Sequence, residues 1–250
     1  QPIEIVKPFL IVIFATILCK NETNVLFKYL ASTILMTLVS LLLIIQPDIG
    51  QTLLVVFLWA VLIFCSGINL YFLLTISSIG LILLSYMIIY IPKFSYIKAR
   101  IFSFFDKETG THNFQSDKAI ESITSGGFFG KGIGEGTLKN RVPEAHTDYI
   151  ISVISEEFGV IAIILILILF LVLIYMVFKK ISFETEEQNK LILIGSVSLI
   201  LMQATIHIGV NIRLFPTTGM TLPFLSYGGS SIVSTSILAG IILNLTKRKI

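Results

Sequence analysis

The chain has 250 residues, 55% of them hydrophobic and only 13% charged, with a formal net charge of +3 and a mean hydropathy of +0.92. Soluble domains run at about 45–50% apolar and about 25% charged, so a soluble enzyme is excluded and an integral membrane protein is indicated. The small positive balance bears on membrane orientation, and no nucleic-acid partner is expected.

Seven apolar segments follow one another at roughly 8–19, 27–45, 50–66, 68–91, 149–177, 191–212 and 231–246. No window shows the ten-residue alternation of a barrel strand, so the spans are expected to be α-helices that satisfy their own backbone polar groups. The first and third are short for a bilayer that needs about 20 residues. The expected fold is therefore an all-α polytopic bundle, a single transmembrane domain over 1–250. A polar stretch at 92–147 forms a large loop inside it, longer than the 12–15 residues beyond which loops usually carry function or disorder. The start, Gln1-Pro2, lacks the basic and apolar regions of a signal peptide and reads as the interior of a longer membrane protein. Cys19 and Cys65 have no Cys or His at metal spacing and read as packing residues.

Short loops set the orientation. Lys20 and Lys28, then Lys179, Lys180 and Lys190, then Lys247, Arg248 and Lys249 fall on one side if the seven segments alternate, and the positive-inside rule makes that side cytoplasmic. Residues 1–7, 46–51, the large loop and 213–230 then share the outer face. The last of these, RLFPTTGMTLPFLSYGGSS, is uncharged after Arg213 and reads as a re-entrant stretch, tolerated only where it is buried or lines a wet cavity.

Several polar residues lie on or near that face. Glu4 and Lys7 are three apart, close enough to pair on one helix face. They serve either as a structural ion pair or as part of a polar cavity. GGFFGKGIGEG, 126–136, fails the spacing of a phosphate loop, which leaves a tightly folded surface loop or a backbone nest that faces an anion with Lys131. Thr147 or Asp148 is placed to cap the fifth helix, and the helix dipole should then depress the Asp148 pKa. That helix is about 44 Å long at 1.5 Å per residue and overshoots a bilayer core of about 30 Å, so Glu156 and Glu157 are expected at the outer interface. Gln203, His207 and Asn211 recur every four residues and form one polar stripe, suited to interhelical hydrogen bonding.

Taken together, QPIEIVK (1–7), QPDIGQT (46–52), GGFFGKGIGEGTLK (126–139), PEAHTDYI (143–150), SEEFG (155–159) and PTTGMTLPFLSYGGSS (216–231) resemble the SEDS family of shape, elongation, division and sporulation proteins, represented by FtsW and RodA. PEAHTD and GEGTLK look more like the division-associated FtsW branch. The departures are Ile3 for Ser, His207 for Asn and Arg213 for a small residue. The resemblance implies ten transmembrane helices with both termini cytoplasmic, of which the fourth to tenth are present. It also implies a bacterial inner-membrane peptidoglycan glycosyltransferase that polymerises lipid II on the extracytoplasmic face.

On that reading Asp148 is the general base, and Glu4 and Lys7 line the cavity beneath it. Arg100, Lys131, Lys139 and Arg141 are candidates to bind the substrate diphosphate, and Glu144 and His146 shape the loop around the base. Glycosidases need two carboxylates because a sugar alkoxide leaves poorly without an acid; a lipid diphosphate leaves as a stable anion, so one base suffices. The implied partners are a class B penicillin-binding transpeptidase, other division proteins and membrane lipid. A divalent cation suits the chemistry, but the sequence shows no ligand cluster and no cofactor is assigned. A lipid II flippase, or a carrier with midplane polar groups, is the rival reading, and a recruiting scaffold is a third.

Overall fold

An apolar run inside a bilayer can satisfy its backbone N–H and C=O groups only within itself, and each of the seven apolar segments is helical. The computed structural model describes residues 1–20, 25–105 and 114–247. Among these, the long helices are α1 (Pro2–Leu18), α2 (Val25–Ile45), α3 (Ile49–Cys65), α4 (Leu70–Tyr90), α7 (Ile150–Ile181), α8 (Glu187–Asn211) and α9 (Gly229–Thr246). The polar stretch at 92–147 adds α5 (Ser95–Phe105), α6 (Phe114–Gly126) and two single turns, Pro92–Phe94 and Leu138–Arg141. Among the described residues four stretches are long and apolar enough to cross a membrane: Leu26–Ile45, Ile150–Ile181, Glu187–Asn211 and Gly229–Thr246. Arg248 and Lys249, two of the orientation-setting cations, lie outside the described residues.

Local chemistry sets the helix starts. Pro2 begins α1, where its missing N–H costs nothing. The Asp48 side chain accepts from the Gln51 N–H at 3.0 Å and caps α3.

The chain divides into two compact units. The first comprises Gln1–Ile79, Val172–Met202 and Gly229–Ile250. Within it α1 packs on α2, α3 and α9, and Ile11, Phe14, Leu54 and Leu62 are fully buried. A Cβ at Gly195 would stand 2.7 Å from the Ile11 side chain, so the missing side chain lets α8 approach α1 closely. Buried in this apolar unit, the Glu4 Oε1 and Lys7 Nζ atoms are 3.0 Å apart. Gln51 closes a triad, donating to Glu4 at 2.6 Å and accepting from Lys7 at 3.0 Å. The ion pair anticipated from the spacing is thus present, and an amide from α3 completes it.

The second unit comprises Gly80–Leu171 and Gln203–Gly228, with a small core of Ile151, Ala204 and Leu222. Here α6 lies against the start of α7. Ser122 Oγ donates to the Ser152 carbonyl at 3.2 Å, and a Cβ at Gly126 would fall 1.9 Å from the Ser155 carbonyl oxygen. Helix α7 is not continuous: Gly159 adopts φ 76° and ψ −177°, outside helical geometry. A break resolves the length problem posed by the sequence, since the stretch from 160 to 181 rises about 33 Å at 1.5 Å per residue, close to one bilayer core of about 30 Å.

Candidate active site

One carbonyl oxygen folds the segment that carries Asp148. Glu144 sits at φ 54°, a left-handed conformation that costs a non-glycine residue about 1–2 kcal/mol. There its carbonyl accepts from the N–H groups of Thr147, Asp148 and Tyr149 at 3.1, 3.1 and 3.3 Å. Thr147 Oγ1 reinforces the turn by donating to Glu144 Oε2 at 3.0 Å. Because α7 starts only at Ile150, Asp148 is not its cap, contrary to the expectation from spacing. Among the described residues no hydrogen-bond donor reaches its carboxylate.

The polar stripe of α8 holds the other wall. Gln203 Nε2 donates to the Thr221 carbonyl at 3.0 Å, and His207 Nδ1 donates to the Met220 carbonyl at 2.7 Å. Asn211 Nδ2 donates to the Asp148 carbonyl at 3.0 Å. The stripe therefore fastens α8 to the non-helical stretch 216–228 and to the Asp148 turn, partners that its spacing did not indicate. Two further links bind that stretch to the turn: Ser226 Oγ donates to the Thr147 carbonyl at 2.7 Å, and the Tyr227 N–H donates to the His146 carbonyl at 2.9 Å. Gly219, at φ 69°, a left-handed conformation that favours glycine, carries the backbone past the carboxylate, with its Cβ position in ordinary contact 3.5 Å from Asp148 Oδ2.

Between these walls lies a cavity of about 140 Å³ lined by Gln115, Asp148, Tyr149, Thr217, Thr218 and Gly219, among others. Burial, and secondarily the charge of Glu144, push the Asp148 carboxyl up from 3.8 to about 6. The helix dipole was expected to lower this pKa; burial and the Glu144 charge move it the other way. Two more polar side chains line the cavity. Thr218 Oγ1 is buried with no hydrogen-bond partner among the described residues, and Gln115 is half-buried beside it. A base flanked by an unused hydroxyl and an amide is suited to hold a hydroxyl-rich molecule and remove a proton from it.

A second cavity of about 730 Å³ opens on the other side of the turn, lined by Lys139, Glu144, His146, Thr147, Glu157 and Tyr227, among others. Lys139 is ion-paired there with Glu157. Lys131 is ion-paired with Glu156 at 3.3 Å. Arg141 is exposed on the turn Leu138–Arg141. Arg100 lies on α5, but its side chain is outside the described residues. Glu4 and Lys7 belong to the triad of the first unit. Among the described residues no three His, Cys, Asp or Glu side chains converge as metal ligands would.

Glu156 is the main polar residue that the sequence did not single out for this role. Fully buried, it accepts from the backbone N–H groups of Leu138 and Lys139 at 3.0 and 2.7 Å, from Ser122 Oγ at 3.1 Å and from Lys131. Its place in SEEFG marked it only as a carboxylate at a helix start; its donors come from three separate segments.

The family model of the cell cycle proteins FtsW, RodA and SpoVE matches residues 1–250. The chain belongs to this FtsW/RodA/SpoVE family. Its relatives include the probable peptidoglycan glycosyltransferase FtsW of Caulobacter vibrioides, 33% identical over 254 residues that cover 100% of this chain and 63% of that protein. The FtsW of Enterococcus hirae, described in the same words, is 30% identical over 263 residues that cover 100% of this chain and 66% of the relative. The chain thus spans just under two thirds of the length of these relatives. Solved structures of the same fold include a chain of a peptidoglycan synthase complex that coordinates polymerization and crosslinking, with a TM-score of 0.75, 26% identity and coverage of 98% of this chain and 69% of that one. The rod shape determining protein RodA of Thermus thermophilus aligns with a TM-score of 0.64 at 28% identity, covering 98% and 64%.

Proposed function

We propose that this FtsW/RodA/SpoVE chain is the catalytic part of a peptidoglycan glycosyltransferase that joins lipid II disaccharides through β-1,4 bonds during cell division. It would work in the bacterial inner membrane, with its site on the extracytoplasmic face. The observation that carries the reading is the uncapped Asp148 carboxylate, raised to about 6, in a small polar cavity beside the unpartnered Thr218 hydroxyl. A base of this pKa is ionised at neutral pH yet basic enough to take a proton as the reaction develops.

In the proposed reaction Asp148 takes the proton of the acceptor sugar's 4-hydroxyl. The oxygen forms a bond to the anomeric carbon of the donor while that carbon's bond to the lipid diphosphate breaks. The configuration inverts, and the diphosphate leaves with the electron pair. Gln115 and Thr218 hold the acceptor ring by its other hydroxyls. Lys139 and His146, which line the larger cavity, and Arg141, exposed on the same turn as Lys139, would meet the diphosphate. A class B penicillin-binding transpeptidase is the proposed partner, since it would crosslink the glycan made here.

The test is polymerisation of purified lipid II by the full-length protein and its Asp148→Asn variant. General-base catalysis contributes about 10²–10⁴-fold, so the variant should lose at least about 100-fold while still inserting in the membrane. Polymerisation at the unmodified rate would refute the assignment, and lipid II crossing liposomes with no glycan formed would make the protein a flippase instead.

A further inference from the structure

The glycine-rich stretch 126–136 is folded onto the break in α7. A helix interrupted at Gly159 strands carbonyls before the break and N–H groups after it. The loop satisfies both sets. The N–H groups of Lys131 and Gly132 donate to the carbonyls of Glu156 and Glu157 at 2.9 and 3.0 Å. On the far side, Val160 and Ile161 donate to the carbonyls of Gly127 and Phe128 at 3.0 and 3.4 Å. The approach requires glycine: a Cβ at Gly130 would fall 2.2 Å from the Glu157 carbonyl oxygen, and one at Gly159 would fall 2.2 Å from that of Phe128.

A loop splinted this way carries its side chains at the level of the break. Phe128, Phe129 and Ile133 are 74%, 82% and 79% exposed, an apolar cluster of a kind that rarely faces water without a partner. The level is given by α7. From Lys179 and Lys180 at its far end, the stretch 160–181 reaches about 33 Å, so the break lies at the opposite boundary of a core about 30 Å thick. The first residues beyond it, Val160, Ile161 and Ile164, are themselves exposed and apolar, as lipid-facing residues are. The loop side chains therefore continue a surface that already faces lipid.

We propose that Phe128, Phe129 and Ile133 insert into the bilayer interface, making the glycine-rich loop a membrane anchor as well as a splint for α7. The occupant of this surface is lipid, not a second protein chain. The inference rests on the span and its break and is independent of the reaction assigned to Asp148.

A nitroxide placed singly at position 129 or 133, in full-length protein with Cys19→Ser and Cys65→Ser, reads the answer in phosphatidylethanolamine/phosphatidylglycerol vesicles. Oxygen concentrates in lipid and a nickel chelate stays in water. At both positions oxygen should relax the label more than nickel does, whereas a label at Glu121, exposed on α6, should show the reverse. Nickel dominance at 129 and 133 would overturn the proposal by placing the loop in water. Low accessibility to both reagents would overturn it by showing protein cover. The two positions guard against one variant misfolding, and a thermal melting profile matching that of the unlabelled protein reports an intact fold.

Discussion

Asn211 Nδ2 donates at 3.0 Å to the backbone carbonyl of Asp148 and at 2.9 Å to the carbonyl of His207, one turn back on its own helix. Both amide hydrogens are thus committed, and the last turn of α8 holds the proposed base through its main chain, leaving the carboxylate untouched. Asn211→Ala orphans a partly buried carbonyl, at a cost of about 1–3 kcal/mol. We expect it to lower the turnover number about tenfold or more, with little change in KM and with the protein still folded. Measured kcat and KM for lipid II polymerisation check this; a loss confined to KM would mean that Asn211 contacts substrate instead.

Asp148 should set both an activity profile and a stability profile. Its proton is held up to about pH 6 in the folded protein, against 3.8 ordinarily. Activity should therefore rise with pH through about 6 and level off above 7. Between those pKa values the folded state binds more protons than the unfolded chain, so stability falls as the pH rises through them, and the whole penalty remains above 6. Asp148→Asn, which cannot ionise, should melt at a higher temperature than the parent at pH 7.5 and at the same temperature near pH 4. Equal differences at both values would rule out the raised pKa.

Glu156 predicts a folding defect, not a chemical one. Leaving one buried and three part-buried donors without their acceptor should cost at least about 1–3 kcal/mol, and the loop is where the loss should appear. Glu156→Ala in detergent should melt earlier and be cut by protease within 126–141 before any other site, which limited proteolysis with mass spectrometry would locate.

The buried triad of the first unit invites a double-mutant cycle. Lys7→Met strands the Glu4 carboxylate in an apolar surround, at about 3–5 kcal/mol. Glu4→Gln combined with Lys7→Met removes both charges and should recover a good part of that stability. Thermal unfolding of the single and double variants measures the coupling, and simple additivity would show that the pair contributes nothing as a pair.

Some of this architecture is legible in the residue string and some is not. The apolar segment read at 27–45 is α2 at Val25–Ile45, and the one at 50–66 is α3 at Ile49–Cys65, because an unbroken apolar run in a membrane has only one way to satisfy its backbone. Helix α6 was hidden in a stretch read as loop, since FQSDKAIESITSG buries only small residues, Ser116, Ala119, Ser122 and Gly126, and shows no apolar stripe. The break at Gly159 was equally hidden, because a lone glycine in an apolar run usually stays helical. Asp148 stood out by its motif, but its freedom from capping depends on where α7 begins, and helix ends are the least predictable feature of a pattern. Gln115 and Thr218 gave no signal at all: they matter because of a cavity that residues from distant segments build together.

The interruption at Gly159 has one more consequence, for how the protein meets bilayers of different thickness. A span accommodates a thicker or thinner membrane by tilting, and an uninterrupted helix would swing everything above it through the same arc. Here the loop rides on the break itself, and the stretch 150–158, about 13 Å of helix, is tied to it through Glu156. With the loop seated among the headgroups, the Asp148 cavity keeps a constant altitude above them, whatever the depth of hydrocarbon below. On the proposed reaction, a substrate arriving on a lipid tether would then always meet Asp148 at the same height.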